Sequence, residues 1–552
     1  MSNILKWFKM TKNQIFYNMY KVFFIVLICL YTGNLAFAQK VYQRDELTRF
    51  SGGKPYTFDP TNSDDSPTNL VLQDLFEGLT RIDQNGKVIL ALASSYKVTN
   101  NKKTYIFKIR SDAKWSDGSK VTAAHCALPI QRIVNPKILT TIGFSSYPIL
   151  NSQKILEGKM PIKKLGVQII NSETLQIKLS QPFPRFLELL SGINYVCLNP
   201  KDFNSKGLFI NEIPSLSNSA YRIKDYLKEK FIRFEKNPYY YNFNNVKINN
   251  VIYYFTEDIL SQINMYITGQ ADMTSPNISS NEIPYLNSKL IGSQLILNRT
   301  ADSIILILNI SKKPFKNNLK LRKSISMVIN RDEIAKKILY DSKFIIYDIV
   351  PDYIYEYTPY IPKWATVSYV QRVKEAKKLF NESGFNENNK LTIKINYNYS
   401  PDSYKIVESI SDQLKKELGI TVILNRLDYN DNVTSIREAN FEISLITWNP
   451  NYLDPIEYLG LLKSTKHYKF SYMNNPKYDN LLDMATAQVE NKKRNILFEK
   501  AAAIGMEYYS VIPLFDKLSR YLVNSDIGGY KENDPYLKLY SQDLYFKKIT
   551  IK

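Results

Sequence analysis

Histidine is nearly missing from this chain of 552 residues: His125 and His467 are its only two, far apart and without ligand-like spacing. That scarcity argues against a multi-histidine metal centre or a histidine-based catalytic relay, and both residues read as surface or capping positions. Cysteine is almost as rare, and Cys29, Cys126 and Cys197 form no C-x-x-C pair. No Walker loop, G-x-G-x-x-G, G-x-S-x-G or H-E-x-x-H occurs, which removes the sequence grounds for nucleotide, acyl-transfer or zinc-protease chemistry. The carboxylate pair Asp64-Asp65 lies in polar, turn-like sequence and reads as solvated. The chain is expected not to be an enzyme, with no cofactor and no metal.

Acidic residues are absent before Asp45. Lys6, Lys9, Lys12 and Lys21 precede an apolar run from Val22 to Tyr31, and Ala36-Phe37-Ala38 then places small residues where signal peptidase requires them. Residues 1–38 are read as a cleavable signal peptide, because the apolar run is about half of the roughly 20 residues of a spanning helix. Cys29 follows Val26-Leu27-Ile28 inside that run, which does not suit a lipid-modified cysteine. The mature protein is expected to be soluble in the periplasm.

The rest of the chain exceeds what one hydrophobic core organises and implies two or three domains. The formal charge of +21 raises the possibility of a nucleic-acid or anionic-membrane partner. The lysines, however, are scattered, and pairs such as Lys336-Lys337, Lys377-Lys378 and Lys415-Lys416 lie beside acidic neighbours, so a solvated surface is the reading and no nucleic acid is expected. Cys126 and Cys197 are free either to pair or to remain buried thiols.

From Thr104 to Arg110 the chain alternates with Tyr105, Phe107 and Ile109 on one side, a strand with one buried face. Asp117-Gly118 marks a turn, and Thr122 is placed to cap a helix running through Ile130 and Ile133. Ile406, Ile410, Leu414 and Leu418 recur at four-residue spacing before Gly419, and a strand from Ile420 to Leu424 begins at once. A second helix spans Tyr369 to Phe380, with Val370, Val373 and Ala376 expected inward and Gly384 closing it. Strands and helices interleave in this way almost to the C-terminus, an α/β pattern. The 41 tyrosines are assigned mostly to packing.

Leu75-Phe76-Glu77-Gly78-Leu79, Leu92-Ala93, Tyr105-x-Phe107-x-Ile109-Arg110 and Lys114-Trp115-Ser116-Asp117-Gly118-x-x-Val121-Thr122-Ala123 resemble, in order and spacing, the signature of the family 5 extracellular solute-binding proteins. Asn218-x-Ala220-Tyr221, Asn237-Pro238-Tyr239-Tyr240, Gly269-x-Ala271-Asp272-Met273 and Gly528-Gly529-Tyr530 extend the likeness over nearly all of the mature chain, most closely to the oligopeptide-binding branch. The resemblance implies a periplasmic-binding-protein-like α/β fold of two main lobes joined by hinge strands, with a small inserted domain. Domain I would comprise 39–81, 206–303 and 520–552; domain II, 82–205; and domain III, 304–519. It implies a monomeric receptor that delivers an oligopeptide to the permease and ATPase subunits of an ABC importer.

Carried over residue by residue, the resemblance places strand backbone that pairs with the peptide at Thr68, Asn69 and Leu70, and again at Thr447, Trp448 and Asn449. Trp448 would be the cleft tryptophan. Two departures affect the ligand. Asn451 stands where the family has an aspartate that pairs with the peptide ammonium, so that either Asp454 or another carboxylate supplies the counter-charge or the natural ligand lacks a free N-terminus, and Leu445 stands where the branch has an arginine for the peptide carboxylate. A blocked or murein peptide, an oligosaccharide, a metal chelate, or a chaperone or sensory role therefore remain as alternatives. The branch's disulfide would fall at Asp302 and Asn449 and cannot form, and His125 replaces the family's helix-start acid, which is expected to weaken that cap.

Overall fold

The alternation at Thr104 to Arg110 does form a strand in the computed structural model, with Phe107 and Ile109 fully buried. The structure describes residues 44–63, 65–138, 148–289, 292–340, 344–450, 452–464, 470–532 and 534–547. The expected signal peptide, Asp64, Asn451 and His467 lie outside the described residues. The described residues from Glu46 onward pack as one unit around three main sheets.

The first sheet takes β1 (Glu46–Phe50), β6 (Tyr221–Leu227), β7 (Phe231–Lys236) and β8 (Asn250–Tyr254) in the order β1-β8-β7-β6. The second is antiparallel, with β2 (Ala93–Thr99), β3 (Thr104–Ile109), β4 (Val167–Asn171) and β5 (Thr174–Lys178) in the order β2-β3-β5-β4. One continuous core, including Leu47, Val71, Phe107, Trp115, Phe234 and Tyr253, joins the two.

The third sheet orders β11 (Thr421–Leu427), β10 (Thr392–Asn398), β12 (Ile443–Trp448), β9 (Leu295–Leu308) and β13 (Val511–Leu522). Its first three strands are parallel, as the helix-glycine-strand spacing predicts. The connecting helix Pro401–Leu418 starts at the cap Ser400 and stops at Gly419, whose φ of 67° a residue with a Cβ adopts only at a cost. Helices cover both faces. Leu306 and Leu308 enter one core with Ile406, Ile410 and Leu414, while Ile305 and Ile307 enter the other with Tyr478 and Phe498. A central strand buried on both faces explains the unbroken apolar run Ile304–Leu308.

Two expectations need correction. In the helix Tyr369–Glu382 the buried stripe is Arg372, Val373, Ala376 and Phe380, whereas Val370 is 77% exposed. Val370 lies roughly 100° round the helix from the centre of that stripe. His125 does not weaken the cap at Thr122. Its Nδ1 accepts the Thr122 N–H at 3.1 Å and the Trp115 indole N–H at 3.1 Å, so the imidazole takes the reciprocal capping role that an acid would otherwise play. Burial lowers its pKa and favours the neutral ring that this acceptor role needs. One turn position on, Cys126 is disulfide-bonded to Cys197, which settles the two readings left open for that pair.

Candidate functional site

Because β10, β11 and β12 are parallel, their C-terminal ends at Asn398, Leu427 and Trp448 gather along one edge of the third sheet. Ligands of open α/β sheets bind beyond that edge. The pairing of β12 is incomplete there. Ile443 to Leu445 are flanked by β10 on one side and β9 on the other, but Ile446, Thr447 and Trp448 pair only with β9, through Ile305, Ile304 and Ser303. Among the described residues the β10 side of that segment is therefore a strand edge without a strand partner, and Thr447 and Asn449 are exposed. An extended chain lying along it would gain main-chain hydrogen bonds.

The Trp448 indole is fixed beside this edge by its N–H bond to the Glu457 carbonyl at 2.8 Å and an edge-on contact with Phe470. Its neighbour across the ladder is Ser303, so Asp302 and Asn449 are the next residues on the two strands. Asp302 lies 3.3 Å from Lys517. The edge residues expected on this lobe are thus brought together.

Those expected on the other lobe are not. Thr68, Asn69 and Leu70 lie inside the helix Ser66–Leu75, where the Asp65 carboxylate accepts the Thr68 N–H and the Asp65 carbonyl accepts the Asn69 N–H. The Leu70 carbonyl accepts the Tyr253 hydroxyl at 2.9 Å as well. Main-chain groups spent in a helix cannot pair with a peptide strand, so the backbone-strand reading of these three residues is overturned. The signal for it was present: Asp65-Ser66-Pro67 is a cap followed by proline in the first helical turn.

Asp454 is also committed elsewhere. Its fully buried carboxylate receives both terminal nitrogens of Arg494 at 2.6 and 2.7 Å and the N–H of Ile456 at 3.1 Å, and Arg185 lies 3.6 Å away. A carboxylate neutralised in this way offers no counter-charge to a ligand ammonium, which corrects that expectation.

The segment carrying Asp454 belongs to a polar junction that reading the chain residue by residue missed. Tyr452 packs edge-on against Phe183 at 5.3 Å, the Leu453 N–H donates to Glu188 at 2.8 Å, and the Tyr536 hydroxyl donates to the same Glu188 oxygen. Three stretches distant in sequence thus meet on one carboxylate. Burial pushes the Glu188 carboxyl up to about 7, opposed by Arg185 and the Leu453 N–H. A charged residue inside Phe186-Leu187-Glu188-Leu189-Leu190 was the available clue. A second junction joins Asp402 to Arg520 at 2.8 Å, with the Ser280 N–H on the other Asp402 oxygen at 2.9 Å. It lies beside the long antiparallel pair β9 and β13.

A recess of about 810 Å³ opens elsewhere, between Asn211–Ser217 and β6, and shares no residue with the strand edge. Among the described residues no cluster of three or more His, Cys, Asp or Glu is placed to hold a metal ion, and no helix is long and apolar enough to cross a membrane.

A parallel-sheet edge that presents main chain and a fixed indole is equipment for holding a ligand rather than transforming one. The chain belongs to the bacterial extracellular solute-binding proteins of family 5, whose "Middle" model matches residues 87–470. That family binds solutes and is not enzymatic. The periplasmic oligopeptide-binding protein OppA of Escherichia coli is 28% identical over 538 residues, covering 95% of this chain and 97% of its own. A probable deoxycholate-binding periplasmic protein of the same organism, YgiS, is 28% identical over 498 residues, 89% of this chain and 92% of its own. Among solved structures, Haemophilus influenzae OppA in complex with the peptide RPPGFSPFR superposes with a TM-score of 0.78 at 26% identity, covering 92% of this chain and 99% of that one. The α/β architecture is that of a three-domain periplasmic binding protein.

Proposed function

We propose that this protein is the extracytoplasmic receptor of an ABC importer and captures oligopeptides in a cleft between its main lobes. The domain limits are 39–81, 206–303 and 520–552 for domain I, 82–205 for domain II and 304–519 for domain III, with residues 1–38 removed on export to the periplasm. The observation that carries the reading is the unpartnered edge at Ile446 to Trp448, continued by Asn449, which takes an extended peptide as an added strand. Main-chain bonding reads no side chain, so sequence tolerance follows. The membrane permease and its ATPase subunits receive the peptide from the closed, liganded form, reached by bending of β9 and β13.

Mass spectrometry of ligand released from natively purified protein tests the class, and a single non-peptide species would reject it. Calorimetry with one bound peptide and its backbone N-methylated analogues tests the mode. Methylation at alternate positions facing the edge is expected to weaken binding about tenfold, the value of one main-chain hydrogen bond. Uniform tolerance of methylation would reject strand addition. Because Asp454 is neutralised by Arg494, N-acetylated and free-amine peptides are expected to bind alike.

A further inference from the structure

Residues 82–205 hold 17 lysines and arginines against 7 aspartates and glutamates, a net +10 within a chain of +21. Along the sequence these lysines look dispersed because they alternate with apolar residues, but the second sheet collects them. Tyr105, Phe107, Ile109, Leu175 and Ile177 point into the core, so their neighbours share the outer face. Register then sets Lys97 in one row with Ile106, Gln176 and Gln168, and Lys108 in the next with Ser95 and Thr174, while Lys178 stands opposite Thr104. Lys97, Lys108 and Lys178 are all exposed. Lys102 in the β2–β3 turn and Lys163 and Lys164 just before β4 are exposed too.

The acids of this region do not neutralise that face. Asp112 pairs with Arg110, Glu157 with Lys159, and Glu188 faces Arg185 in the buried junction. Asp83 and Asp117 accept hydrogen bonds in their own turns, and Asp202 accepts the N–H and hydroxyl of Ser215. Glu173, at the β4–β5 turn, is the acid left near the sheet.

We propose that the outer face of the second sheet is a docking surface for anionic phospholipid headgroups. Lysine is depleted at the centres of protein–protein interfaces, which are built on desolvated aromatic and arginine anchors, and this face offers isolated aliphatic side chains instead, the half-buried Ile106 and, on the edge strand β4, the exposed Ile170. A flat array of flexible ammonium groups is matched instead to a fluid sheet of phosphates, where attraction accumulates lysine by lysine and no fixed register is needed. The surface shares no residue with the strand edge, and the inference does not rest on which ligand that edge holds. Docking here would keep the receptor close to the membrane that houses its permease.

The test is sedimentation of the full chain with vesicles of phosphatidylcholine alone and of phosphatidylcholine with phosphatidylglycerol, at low and high salt, against the triple variant Lys97→Gln, Lys108→Gln, Lys178→Gln. Circular dichroism and thermal melting of the variant check that it is folded. The expected result is binding that requires phosphatidylglycerol, is lost at high salt, and is weakened on the order of a hundredfold in the variant, roughly fivefold per lysine. Attachment through the apolar N-terminal run would survive both salt and the triple substitution. Binding that is wholly indifferent to the three lysines overturns the proposal. Salt-sensitive, lysine-dependent binding to soluble polyglutamate or to a nucleic acid without binding to vesicles also overturns it, and assigns the face to a different polyanion.

Discussion

Replacing Asp454 by asparagine keeps the shape of the side chain and removes its charge. In the native structure that charge is wholly buried and holds Arg494 by two hydrogen bonds of 2.6 and 2.7 Å, and Arg494 is itself 3% exposed. The variant leaves a buried guanidinium without a counter-ion, a defect that typically costs 3–5 kcal/mol, so about 4 kcal/mol is expected. The double variant Asp454→Leu, Arg494→Met removes both charges and is expected to recover most of that loss, because an apolar pair of similar volume avoids the desolvation cost altogether. Urea unfolding of the three proteins, followed by fluorescence and circular dichroism together, measures the differences. Calorimetry then compares a free-amine peptide with its acetylated form on Asp454→Asn, with the same loss or none expected for both. An unchanged unfolding midpoint combined with selective loss of the free-amine peptide would refute this reasoning and return Asp454 to the ligand.

Glu188 titrates near 7 in the folded protein and near 4.5 when unfolded, so the native state binds the extra proton and loses stability as pH rises between those values. Glu188→Gln should flatten that slope, worth on the order of 3 kcal/mol across the window, in unfolding midpoints taken at pH 5 and pH 8. His125 behaves oppositely: its folded pKa is lowered, so stability contributed by the neutral ring declines as pH falls below about 6.5, and His125→Ala should abolish that decline at a cost of about 1 kcal/mol at neutral pH. Removing the Cys126–Cys197 bond, whose ends are 71 positions apart in sequence, by the double serine variant should cost roughly 4 kcal/mol in the chain-entropy account. Differential scanning calorimetry with and without reductant provides the same comparison in the unmutated chain.

Elements governed by short-range chemistry were legible in the sequence. Ser400 and Gly419 bracket a helix whose apolar spacing already states its buried face, and the alternation at Tyr105, Phe107 and Ile109 states a strand. Thr447 and Trp448 lie on the strand Ile443–Trp448, where the family resemblance rather than any local pattern had put them. Thr68 to Leu70 went wrong because similarity of position outweighed the Asp-Ser-Pro cap beside them. Asp454 went wrong because its partner Arg494 is 40 residues away, and no local pattern reveals which distant charge a carboxylate will meet.

The sequence by itself determined the α/β class, the absence of catalytic motifs and the family, all of which depend on periodicity, capping and residue order within short windows. Tertiary structure alone decided that β12 outruns β10 and leaves an edge at Ile446 to Trp448, that Glu188, Leu453 and Tyr536 share one junction, and that dispersed lysines occupy one face. Those facts follow from register and long-range packing, where one residue's shift along a strand turns every side chain to the other face.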